Sequence, residues 1–199
     1  LPAEALDSAR FEALLADGRA AFADDNPALA RSLFERALRL WRGAAYGELA
    51  YESFLTAEPE RLEELRRVAD EQRIDAELAL GRHVELLAEI CSRAAAEPLR
   101  ERAQAHAMLA LYRCGRQSDA LEIFTAARRA LQEELGLEPG PELRELQRRI
   151  LRHDPTLAAT TKASRTVSLP SPSTRLLGRE GELSELEEGL FEFGGFGGD

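Results

Sequence analysis

The residues of this chain best equipped for chemistry are three histidines, two cysteines and a glycine-rich end, and their spacing argues against a reactive use of each. Zinc is gathered by His and Cys at helical i+3 or i+4 separations or in close pairs. His83, His106 and His153 stand alone, and Cys91 and Cys114 sit inside apolar helical patterns without ligand-like spacing. His83, just after Gly81, reads as a surface group at a helix start, and His153 as a last-turn residue near the negative end of a helix dipole. His106, beside Ala103 and Ala107, reads as partly buried. Nucleotide binding needs a glycine-rich loop, a lysine on the β and γ phosphates and a hydroxyl for magnesium. Gly194 to Asp199 supplies the glycines alone, and the one lysine is upstream at Lys162. Glu63-Glu64 and Glu133-Glu134 are adjacent along helices and point in different directions, which suits solvation better than a shared acid-base site. No nucleophile elbow occurs. The expectation is a chain with no catalytic, metal-binding or cofactor-binding residue, hence not an enzyme.

Charge narrows the partners. A formal net charge of −10 argues against a broad nucleic-acid surface, which needs a concentrated positive footprint. The one basic cluster is Arg144, Arg148, Arg149 and Arg152. Arginines late in a helix favour its negative end and pair with Glu142 and Glu145, and this reading competes with contact to phosphate or to a polymerase. Unpaired cysteines, the lack of an apolar run long enough to span a membrane and the lack of a leader pattern point to a reduced, cytoplasmic protein without membrane contact. The start at Leu1 rather than methionine reads as a piece of a longer protein.

Helices must carry these residues, because Ala, Leu, Glu and Arg dominate and β-branched and aromatic strand formers are scarce. An apolar stripe of Phe11, Leu14, Leu15, Gly18, Ala21 and Phe22 follows Asp7. Asn26 and Pro27 then open a second helix lined by Ala30, Leu33, Phe34, Ala37, Leu40 and Trp41 and stopped by Gly43. From Pro59 to Leu80 the inward set is Leu62, Leu65, Ala69, Ala76 and Leu80, with Glu63, Glu64, Arg66, Arg67, Asp70 and Glu71 on the wet side. His83 to Ala95 returns through Val84, Leu87, Ala88 and Cys91. Pro98 opens a helix carrying Ala103, Ala107, Ala110 and Leu111. Ser118 to Leu135 returns again, and Pro139-Gly140-Pro141 turns the chain into a last helix with Leu143, Leu146 and Ile150 inward. Gly43 to Ala57, with Tyr46, Leu49, Tyr51, Phe54 and Leu55, is too apolar for a free loop and reads as a short capping helix beside Trp41, the alternative being an exposed partner-binding patch.

These helices repeat. Gly81-Arg82 recurs 34 residues later as Gly115-Arg116, the period of a tetratricopeptide repeat. Ala120, Phe124 and Ala127 recur as Ala30, Phe34 and Ala37, each 90 positions earlier, with Leu86 and Ile90 at the corresponding places of a degenerate middle unit. Small residues let paired helices touch, and the Phe fills the space between hairpins. The predicted fold is all-α, a tetratricopeptide-like stack of antiparallel helix hairpins.

Four stretches, Ala37–Gly43 (ALRLWRG), Arg73–His83 (RIDAELALGRH), Ala110–Arg116 (ALYRCGR) and Glu134–Leu143 (ELGLEPGPEL), together resemble the bacterial transcriptional activation domain of the Streptomyces antibiotic regulatory protein family. The likeness covers Ser8 to Leu157. It implies a domain that packs on an upstream OmpR-like winged helix, supports dimerisation and contributes to contact with RNA polymerase, with DNA reached only through that winged helix. Its rival is a generic tetratricopeptide scaffold that binds peptides and has no part in transcription. Three segments are expected: a helical domain over residues 1–157, a Pro, Ser and Thr-rich linker over 158–173, and an acidic piece over 174–199. The stretch Leu169–Leu183 resembles the lead-in to the ATPase domain of larger family members.

Overall fold

Residues 7–43, 45 and 57–158 are described by a computed structural model. They form seven helices and a closing 3-10 turn: α1 Asp7–Ala23, α2 Pro27–Leu38, α3 Ala57–Ala79, α4 His83–Ala96, α5 Glu101–Arg113, α6 Gln117–Leu135, α7 Pro141–Leu151 and the turn Pro155–Leu157. No strand occurs among the described residues, as the composition requires. Residues 158–199 lie almost wholly outside them, and so do the linker, the acidic piece, Lys162 and the terminal glycines.

The first hairpin forms because two apolar stripes face each other. Phe11, Leu14, Leu15, Gly18 and Ala21 of α1 are buried against Ala30, Leu33, Phe34 and Ala37 of α2. Gly18 is required by that approach, since a Cβ there would lie 2.7 Å from Cδ1 and 3.0 Å from Cζ of Phe34. The Asn26 side chain accepts the Leu29 N–H at 3.2 Å, capping α2, and Pro27 takes the first turn where no N–H is needed. Two expectations shift. Phe22 is 39% exposed, because it stands at the turn where no neighbouring helix covers it. The second helix ends at Leu38, not at Gly43. Leu40 and Trp41 lie past its end, and Trp41 sits edge-on to Phe11 with centroids 5.5 Å apart while the Arg66 guanidinium lies 5.0 Å over its ring. Of the apolar insertion only Ala45 is described after Gly43; it is buried, and its N–H donates to Glu63 at 3.0 Å. The expected capping helix lies outside the described residues.

Among the remaining helices α5 is central, touching α3, α4, α6 and α7. Gly81 and Gly115 both adopt left-handed backbone, φ +79° and +75°, which explains why the pair recurs at each hairpin turn. α3 packs most closely on α2, α4 and α6 both pack on α5, and α7 covers α5 and α6. Ala120, Phe124 and Ala127 of α6 are buried, as the repeat demands. α4 corrects its stripe: Val84 is 69% exposed and Ala88 is exposed, whereas Ile90 and Ala94 are buried. It packs on α5, and Ile90 and Ala94 join Ile74, Leu78, Ala107 and Ala110 in one cluster. The 34-residue register therefore placed Ile90 correctly where local periodicity did not. Leu80, expected inward, is 36% exposed at the α3 end. α5 starts at Glu101, three residues beyond Pro98, which stands in the turn.

Candidate interaction surface

α3 carries the largest departure from the sequence reading. Glu71, placed on the wet side, is 5% exposed, and Glu77 is 3% exposed. A carboxylate is tolerated there only if paired. Glu71 takes the Arg100 guanidinium, which also reaches Glu64 at 2.9 Å, and Glu77 takes Arg82 at 2.8 Å. Asp70 joins Arg73 at 2.8 Å and Arg93 of α4. One turn on from Glu71, Asp75 Oδ1 meets Nε2 of the buried His106 at 2.8 Å and its other oxygen takes Arg102. Further along, Arg113 donates to the carbonyls of Leu78 at 2.6 Å and Leu157 at 2.9 Å, tying α5 to the end of α3 and to the closing turn. Gln104, also buried, donates to the Ala94 and Glu97 carbonyls at 2.8 and 3.0 Å, closing the α4 end. A polar seam thus joins α3 to α5.

These surroundings set the protonation of the seam. Burial pushes the Asp75 carboxyl up, but the His106 hydrogen bond and charge together with Arg102 pull it below the ordinary value of 3.8. Burial lowers the Arg113 guanidinium. At the far end the Thr156 hydroxyl and N–H, with Arg149, hold Asp154 at about 2.

The residues singled out for chemistry scatter. His106 is buried, more deeply than expected; His83 is half-buried; His153 lies past α7 with φ +51° rather than in its last turn. Cys91 and Cys114 are free, half-buried thiols, and burial raises the former. Glu63 pairs with Arg66 and Glu64 with Arg67 and Arg100, so the two point to different partners. In the basic cluster Arg148 pairs with Glu145 as expected, while Arg149 takes Asp154 at 2.9 Å rather than a carboxylate of its own helix. Among the described residues no group of three His, Cys, Asp or Glu is placed to hold a metal ion. None of their helices is long and apolar enough to cross a membrane.

Grooves open on the surface of the described residues. One, between α6 and α7, is lined by Phe124, Arg128, Glu138, Arg144 and Arg148. A second, flanked by α2, α3 and α4, is lined by Glu63, Arg66, Asp70, Glu89 and Arg93, mostly ion-paired among themselves. A third, about 450 Å³, lies between α3, α5 and α7 and mixes aliphatic Ala105, Leu109 and Leu146 with Asp75, Glu101 and the buried His106.

This helical stack has known counterparts. The family model described as "Bacterial transcriptional activator domain" matches residues 6–151. The chain belongs to that family. The domain is 38% identical over 189 residues to the regulatory protein AfsR of Streptomyces griseus, covering 92% of this chain and 19% of that protein. It is 42% identical over 145 residues to the regulatory protein DnrI of Streptomyces peucetius, covering 73% of this chain and 53% of that one. Among solved structures, Mycobacterium tuberculosis EmbR in complex with a low affinity phosphopeptide matches with a TM-score of 0.73 and 34% identity, over 78% of this chain and 41% of that one. The chain thus spans about a fifth of AfsR and about half of DnrI. The tetratricopeptide-like helical architecture and the family resemblance drawn from the four stretches are both met.

Proposed function

We propose that the domain is the activation and oligomerisation module of a bacterial transcriptional regulator, fixing a winged-helix DNA-binding domain, pairing with a second copy and touching RNA polymerase. The observation that carries this reading is the family match over residues 6–151, which coincides with the helical stack from Asp7 to Leu157. The net charge of −10 supports a division of labour in which DNA is read by another domain. The domain works by packing and contact in the cytoplasm, with no reaction and no cofactor of its own. On this reading the helical domain occupies residues 1–157, 158–173 form the linker, and 174–199 form an acidic piece that resembles a truncated lead-in to an ATPase domain. A generic peptide scaffold is not favoured, because the family matched is the activator domain.

The test is tethering. The chain is fused behind an unrelated DNA-binding domain and placed upstream of a reporter in Streptomyces. Reporter output above that of the DNA-binding domain alone is expected, while the isolated chain leaves promoter DNA unshifted in an electrophoretic assay. An inert fusion, or sequence-specific shifting by the isolated chain, would overturn the reading.

A further inference from the structure

We propose that the groove between α3, α5 and α7 seats a partner-protein segment that carries an aliphatic side chain next to a lysine or arginine. This rests on the activation-module reading and names the chemistry of the contact. The floor is Ala105, Leu109 and Leu146, all half-buried, so apolar surface is left uncovered in a recess of about 450 Å³, the size of a site for one or two side chains. The rim carries three carboxylates, Asp75, Glu101 and Glu142, against the single guanidinium of Arg102. Glu101 accepts the Gly140 N–H at 2.7 Å, Asp75 is shared between His106 and Arg102, and Glu142 makes no ion pair among the described residues. An anion or a phosphate backbone is repelled by such a rim, whereas a cation is drawn to it.

His106 forms one wall of the recess. Its ring is buried in the groove wall with Nε2 held by Asp75, and Nδ1 has no hydrogen-bond partner in the protein. Aliphatic floor and carboxylate rim together specify a basic, leucine-bearing segment. A second copy of this chain, with its net charge of −10, fits poorly.

The probe is a fluorescein-labelled peptide of twelve residues, rich in leucine and lysine, compared with a counterpart carrying glutamate for lysine. Each is titrated by anisotropy into the 199-residue chain at physiological salt. Saturable binding of the lysine peptide only is expected, with the His106 imidazole nitrogen resonances moving as it binds. Ala105→Leu, which fills the floor, is expected to weaken binding about tenfold, and Glu142→Lys about fivefold. Glu133→Lys, the same charge change on the exposed face of α6, leaves it unchanged. Ala105→Leu is checked for helicity by circular dichroism; should it unfold, the exposed Glu142→Lys carries the test. Equal binding of both peptides, equal weakening by Glu133→Lys and Glu142→Lys, or self-association abolished by Glu142→Lys would each overturn the proposal. In the tethered reporter both groove variants are expected to lower activation. Wild-type levels in both variants would remove the groove from activation while leaving the activation module standing. An inert wild-type fusion would remove the module, and the peptide titration would still decide the groove.

Discussion

The first hairpin and the α3 to α5 seam hold the same stack together by opposite means. Between α1 and α2 nearly everything buried is apolar: Phe11, Leu14, Leu15, Leu33 and Phe34 interdigitate around Gly18. Across the seam Glu71, Asp75, Arg100, His106 and Arg113 meet through charge-assisted hydrogen bonds, with Ile74, Leu78 and Ala107 beneath them. Apolar packing is non-directional and tolerates sliding, so the hairpin is set by volume. Ion pairs across buried ground are costly to form and costlier to leave half made, so the seam is set by register. A repeat stack that must present one surface in one shape gains its hairpins from the first kind of contact and its stagger from the second.

Breaking the apolar side gives the largest expected effect. Phe34→Ala is expected to destabilise by about 3–5 kcal/mol, as is Phe124→Ala at the equivalent place of the last hairpin, because each leaves a cavity among fixed neighbours. Denaturant midpoints measured for both check this; an unchanged midpoint in either would show that the repeat register is wrong. Breaking the seam is expected to cost less. Glu71→Ala strands the Arg100 guanidinium, yet Arg100 keeps Glu64 and is 25% exposed, so the loss is roughly 1–3 kcal/mol. A loss as large as that of Phe34→Ala would mean that the seam, not the apolar core, dominates the stack.

Acid sharpens the contrast. Asp75 is held below its ordinary value of 3.8, so its contribution is complete above that unfolded value and is lost as pH falls through its lower folded value. Stability measured between pH 5 and pH 2 is therefore expected to fall, and to fall less steeply in Asp75→Asn; parallel acid limbs would show that other carboxylates govern the slope. The smallest effect belongs to the surface. Arg129 pairs with Glu133 in the open, and Arg129→Ala is expected to leave the denaturant midpoint unchanged within error.

The two regions also differ in how far the sequence reveals them. Asn26-Pro27, the stripe ending in Phe34 and Ala37, and the recurrence of Gly81-Arg82 as Gly115-Arg116 are local signals, and each marks a cap, a contact or a turn that the structure contains. Ile90 was legible through the repeat and illegible through its own helix, since α4 turns Ile90 and Ala94 toward α5 rather than the stripe that carries Val84 and Ala88. The candidate groove was not legible at all. Its floor and rim come from helices whose contributing residues range from Asp75 to Leu146, and no motif links them. Glu71, which read as solvated, is buried because Arg100 arrives from 29 residues away.

The sequence by itself therefore determined the helices, their turns, the repeat and the family, because propensity, capping and the spacing of small and large residues act within one or two turns of chain. Only the tertiary structure decided which charges are buried, where α4 faces, and that Asp75, His106 and Leu146 share one recess. Those outcomes depend on which helix lies beside which, and a charged residue at a helical position reads the same whether water or a partner's guanidinium stands opposite it.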